Sequence, residues 1–194
     1  MRVKVVVAGG FGAGKTTFVA SVSEIDPLTT EEVLTDPGST IDSLDGVAAK
    51  TTTTVALDFG RITLPSPDPA EQPVVLMLFG TPGQDRFRPM WDSVADGAHG
   101  AVVLADTRRL ADCFNAIDYF ERHQLPFIVA VNRFPDTAAY HPDQIRSALA
   151  LDPDLPLVVC DARERASSLD ALITLVVHAL HRLPAPPEPA GARP

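Results

Sequence analysis

The sequence predicts an α/β protein: a six-stranded, mostly parallel sheet with one antiparallel hairpin strand and helices on both faces. Three observations carry this reading. Short apolar runs alternate with helical periodicity through the second half of the chain. Two runs near the middle are joined by a proline-rich connection too short for a crossover helix, which makes them a hairpin. The first apolar run leads directly into a glycine-rich turn that opens a helix.

The elements follow in order. Val3 to Ala8 is an apolar run suited to a buried strand. Gly9 to Thr16 then reads GGFGAGKT, which fits G-x-x-x-x-G-K-[ST], the P-loop. Its glycines let several backbone N–H groups converge on a phosphate, and the helix N-terminus adds its dipole. Lys15 reaches the outer phosphates and the Thr16 hydroxyl ligates magnesium. The nucleotide-binding set here is Gly9, Gly12, Ala13, Gly14, Lys15, Thr16 and Thr17.

A helix follows to about Ser23, and Pro27 forbids its continuation. Residues 24 to 50 are polar without a strong period and read as a long functional loop ending at Lys50 and four threonines, Thr51 to Thr54. Val55 to Leu64 and Val74 to Phe79 are the hairpin strands. Gly80 to Phe87 is turn-rich, and Met90 to Ala95 fits a short helix. Gly100 to Ala105 is a strand. Thr107 to His123 fits one helix with Leu110, Phe114, Ile117 and Phe120 on one face. Phe127 to Val131 is a strand ending at Asn132. A short helix from Pro142 to Leu151, a strand from Leu157 to Cys160 and a helix from Ser168 to Leu183, capped by Ser167 or Ser168, complete residues 1–183 as one domain. Residues 184–194 are a proline-rich tail expected to be disordered.

The formal net charge of −9 argues against nucleic-acid binding, and no apolar run approaches a membrane span. The two cysteines, Cys113 and Cys160, form no close pair and read as buried thiols. No signal peptide or lipidation motif stands at the termini, so the expected location is cytoplasmic, with membrane recruitment left to partners. Ligands of such sheets bind beyond the carboxyl ends of the strands. The polar segments Gly9–Thr16, Gly80–Gln84, Asn132 and Asp161–Arg163 all leave strands there.

With the threonine run, these segments resemble the small Ras-like GTPases, over nearly all of the chain to about residue 183. The likeness is nearest to the bacterial branch, with its gliding-motility GTPases and the actinobacterial GTPases of multi-gene signalling operons (conservons). KTTTTVALDFGRITL followed by LFGTPGQDRF is the run that carries it.

The resemblance implies roles. Thr54, or Thr53 one residue earlier, would close over magnesium and the γ-phosphate. Gly83 would offer its N–H to the γ-phosphate and Gln84 would orient the attacking water, which with Lys15 makes the catalytic set. The family's magnesium-supporting aspartate is replaced by Gly80, and Asp58 on the neighbouring strand could supply a carboxylate instead. Asn132 and Arg133 match the base-recognition motif N-K-x-D, but its aspartate position is Pro135, with Asp136 one residue late. Asp161, Ala162 and Arg163 resemble the loop whose alanine N–H meets the guanine O6.

The expected function is therefore a GTP/GDP switch with magnesium and slow hydrolysis. By resemblance its partners would be a roadblock-type regulatory protein and a sensor-kinase system. Two alternatives remain open: a nucleotide-binding interaction module without hydrolysis, and a P-loop kinase with a small acceptor. Against the kinase, residues 133–156 hold only Arg133 and Arg146 where a lid would be arginine-rich.

Overall fold

The computed structural model describes residues 1–34, 53–64, 68, 72–83, 89–135 and 137–182. All six expected strands form: β1 (Arg2–Gly9), β3 (Thr53–Leu64), β4 (Val74–Gly80), β5 (Gly100–Ala105), β6 (Phe127–Asn132) and β7 (Leu157–Cys160). A seventh, β2 (Leu28–Leu34), arises within the stretch expected to be loop and pairs antiparallel with β3. Its sequence, LTTEEVL, has too few apolar residues to announce a strand; a template strand supplies what its own pattern does not.

The sheet order is β2-β3-β4-β1-β5-β6-β7. β3 and β4 are antiparallel, and β1 pairs parallel with β4 on one side and β5 on the other. From β1 the chain thus passes to the far edge at β2, works back through β3 to β4 beside β1, and then builds outward on the other side through β5, β6 and β7. A crevice opens at the carboxyl end of β1, where ligands of open α/β sheets sit.

Strand alternation divides the core. Val5 and Val7 of β1 face α1 (Lys15–Val22) and α5 (Arg165–Arg182), where Phe18, Val19, Leu172 and Leu175 are fully buried. Val6 and Ala8 face the opposite layer, of α2 (Trp91–Ala95), α3 (Phe114–Arg122) and α4 (Pro142–Ala148). Trp91 packs there against Tyr119 and Phe120, with ring centroids 5.4 and 6.4 Å away.

Two helices differ from expectation. The Thr107–His123 helix is split into a 3-10 segment, Thr107–Cys113, and α3, because the backbone at Arg109 is non-helical (φ −144°, ψ 51°). Helix α5 opens at Arg165, three residues early, so neither Ser167 nor Ser168 caps it. The Ser167 hydroxyl instead accepts from the Asp161 N–H, and buried Ser168 is hydrogen-bonded to Ser21. Cys113 and Cys160 are free, buried thiols. Among the described residues no helix is long and apolar enough to cross a membrane.

Candidate functional site

The turn after β1 is shaped by Gly14, whose φ of +102° only glycine adopts without strain. Gly14 stands at the N-cap of α1 with no side chain capping the helix, so the helix terminus faces the loop with its backbone donors. Lys15 turns back over the loop. Its Nζ donates to the carbonyls of Gly9 (2.9 Å) and Gly10 (2.7 Å). Burial lowers its pKa from the ordinary lysine value to about 8, opposed in part by the Asp58 charge. Among the described residues these two carbonyls are its hydrogen-bond partners, and phosphate oxygens can replace them.

Beside it, Thr16 Oγ1 donates to Asp58 Oδ2 at 2.6 Å. Asp58 is 5% exposed, and its Oδ1 is buried without a hydrogen-bond partner. Asp58 lies opposite Gly80 in the β3–β4 register. A Cβ on Gly80 would come within 3.0 Å of the Asp58 Cβ, so the glycine makes the room that the carboxylate occupies. A hydroxyl and a carboxylate with an orphaned oxygen, next to a phosphate loop, are a hard donor set that fits magnesium. Thr53 and Thr54 belong to β3, opposite Leu34 and Val33.

Gly83 closes the outer end of the loop. A Cβ there would meet Lys15 Nζ at 2.6 Å and the Phe11 Cα at 2.9 Å. Gln84 and Asp136 lie outside the described residues, as do Thr51 and Thr52.

On the other flank, buried Asn132 ties two loops together. Its Nδ2 donates to the Ala13 carbonyl and its Oδ1 accepts from the Ala162 N–H, each at 3.0 Å. The N–H that the resemblance assigns to a guanine O6 is therefore engaged by Asn132. Asp161 accepts from the Arg163 N–H and guanidinium, which hold its carboxyl down at about 2. Arg133 is exposed and its N–H donates to the Cys160 carbonyl.

The expected loop residues, Asp58, Gly83, Asn132 and the 161–163 loop thus gather around one end of β1. Arg109 and Asp112, which the sequence placed in an ordinary helix, also reach it. With Gly10, Phe11 and Gly83 they line a cavity of about 380 Å³. The available signal was an Asp106 that caps a turn carrying two arginines, at the carboxyl end of β5.

Fold and site define a P-loop nucleotide-binding protein. Residues 7–182 match the family described as conserved hypothetical ATP binding protein, and the chain belongs to that family. It is also similar to an archaeal protein, uncharacterized protein MJ1339 of Methanocaldococcus jannaschii. The two are 28% identical over 134 residues, which cover 68% of this chain and 70% of that one. This membership corrects the expected assignment to the bacterial Ras-like GTPases. The run that carried the resemblance, KTTTTVALDFGRITL followed by LFGTPGQDRF, lies inside the residues 7–182 that match this other family, and Gly9–Thr16 is common to P-loop proteins of many kinds. The chain also departs from the Ras-like pattern at Pro135, in the base-recognition motif.

Proposed function

We propose that the chain is a nucleotide-binding module that takes a purine nucleoside triphosphate with magnesium and distinguishes it from the diphosphate. The observation that carries the reading is the Thr16–Asp58 pair, with its orphaned Oδ1, beside a phosphate loop whose lysine rests on carbonyls. Thr16 and Asp58 would hold the metal, Asp58 directly or through a bound water. Magnesium bound there supplies charge neutralisation between the outer phosphates.

The family description favours ATP. The chemistry of the base side agrees with it. A guanine-selective site pairs the N1–H and N2–H donors with an acceptor. In segments 132–135 and 161–163 the one carboxylate is Asp161, and Arg163 already occupies it. Asp136, the other carboxylate near this flank, lies outside the described residues, and the module is read as accepting adenine.

Hydrolysis is a further step that needs a group to align water, and Gln84 is the residue the sequence offers for it. Single-turnover assays of wild type against Gln84→Ala separate a hydrolysing switch, for ATP or GTP, from a module that only binds.

Titration calorimetry with ATP, ADP, GTP and GDP, with and without magnesium, tests the binding itself. Expected are magnesium-strengthened binding of the triphosphates and ATP within about tenfold of GTP, a difference of roughly 1.4 kcal/mol. Wild type indistinguishable from Lys15→Ala for every nucleotide would overturn the reading.

A further inference from the structure

We infer that Arg109 is a triphosphate-sensing residue supplied by the chain itself, whose guanidinium binds the outermost phosphate of the nucleotide held by Gly9–Thr16. The inference rests on the nucleotide-binding reading above and extends it to a residue outside every recognised motif.

The first ground is position. Arg109 lines the cavity of about 380 Å³ together with Gly10, Phe11 and Gly83. Gly83 abuts the Lys15 ammonium, so this cavity adjoins the end of the loop where the outer phosphates lie.

The second ground is how the guanidinium is held. Its Nη2 pairs with Asp112 Oδ2 at 2.8 Å. Asp112 is pressed against the phosphate loop: a Cβ on Gly10 would come within 2.5 Å of the Asp112 Cβ and 3.1 Å of its Oδ2. The absence of a side chain at residue 10 therefore brings the carboxylate, and the arginine on it, up to the loop. A carboxylate and a phosphate can each accept two parallel N–H bonds from a guanidinium, so one can replace the other.

The third ground is freedom to make the exchange. Arg109 is 57% exposed and carries the one non-helical backbone geometry in the 3-10 segment. The neighbouring Arg108 contrasts with it. Three side-chain hydrogen bonds fix Arg108 to Asp106, and it stacks on Phe134 at 3.8 Å. The fourth ground is charge. Lys15 is the sole cation in residues 9–17, so a triphosphate with its metal gains from a second one at its far end.

The test compares Arg109→Ala, Arg109→Lys and Arg108→Ala by calorimetry. The ligands are magnesium with ADP and with a non-hydrolysable ATP analogue, and circular dichroism checks the fold. Loss of one charge-assisted hydrogen bond to a phosphate predicts a fall in triphosphate affinity of about ten- to a hundredfold in Arg109→Ala. Diphosphate affinity should stay within about threefold, Arg109→Lys should recover part of the loss, and Arg108→Ala should leave the ratio unchanged. An unchanged triphosphate-to-diphosphate ratio in Arg109→Ala overturns the inference, as does an equal change in Arg108→Ala, which would reflect general charge. Failure of wild type to bind either nucleotide sinks the parent reading instead, so the two failures are distinct.

Discussion

Thr16 and Asp58, 42 residues apart in the chain, share a 2.6 Å hydrogen bond across the mouth of the phosphate loop. The carboxylate reaches Thr16 from β3, over the top of Gly80 on β4. Residue 80 has no side chain to obstruct that reach.

Asp58→Asn keeps the shape and the Thr16 contact but removes the charge that attracts a cation. The strengthening of triphosphate binding by magnesium should fall by about tenfold or more, while binding in EDTA stays within about threefold. Gly80→Asp alone should destabilise the fold, since a second carboxylate would crowd the first within the 3.0 Å contact. Exchanging the pair, Asp58→Gly with Gly80→Asp, should restore part of the magnesium effect. Calorimetry with and without EDTA reads both, and a magnesium effect untouched in Asp58→Asn would remove Asp58 from the metal site.

Lys15 gives the site a pH dependence. Its pKa in the free protein is lowered to about 8, chiefly by burial. Phosphate oxygens favour the ammonium form, so the bound state has the higher pKa. At a pH between the two values, binding takes up a proton and affinity falls as pH rises. Nucleotide affinity should be level below pH 8 and decline above it, approaching tenfold per pH unit. Calorimetry at pH 8.5 in buffers of different ionisation enthalpy should register proton uptake, and its absence would separate Lys15 from the phosphates.

What could be read in the residues divides along physical lines. The phosphate loop was legible because a backbone geometry demands glycine at Gly14 and the chemistry demands Lys15 and Thr16, all within eight residues. The central strands were legible because full burial requires continuous apolar runs such as Gly100 to Ala105 and Phe127 to Val131. β2 was not, because its pairing with β3 is a tertiary fact that LTTEEVL does not encode locally. Arg109 was missed because helical periodicity through Leu110, Phe114 and Ile117 runs across the break in its backbone. The Ras-like assignment failed because the run KTTTTVALDFGRITL with LFGTPGQDRF and the phosphate loop report a way of holding phosphates, whereas the family match extends over residues 7–182.

Asn132 is a structural bridge as well as a flank of the base site. Asn132→Ala leaves the Ala13 carbonyl and the Ala162 N–H without their 3.0 Å partner. Each buried group left unpaired costs about 1–3 kcal/mol, so a loss of roughly 2–4 kcal/mol is expected. For a chain of this size that lowers Tm by about 5–15 °C. Asn132→Asp should not rescue it, since a carboxylate can accept from Ala162 but repels the Ala13 carbonyl. Differential scanning calorimetry decides, and a Tm within 2 °C of wild type, a shift of about 1 kcal/mol or less, would mean water replaces the bridge.

Gly83→Ala tests whether the segment after β4 senses the outer phosphate. The new methyl would stand 2.6 Å from Lys15 Nζ and 2.9 Å from the Phe11 Cα. The lysine terminus can move aside, but the Phe11 backbone belongs to the phosphate loop and yields poorly. Upstream, the Thr81 N–H is anchored to the Val7 carbonyl at 2.9 Å, so the displacement falls on the residues beyond it. A Gly83 N–H that meets the outer phosphate would then withdraw from it. Triphosphate affinity should fall by about tenfold and diphosphate affinity should hold. Because Arg109 acts on the same phosphate, the Gly83→Ala and Arg109→Ala losses should not add in the double variant. Equal losses for both nucleotides would show that the methyl merely deforms the loop and that Gly83 plays no part in telling three phosphates from two.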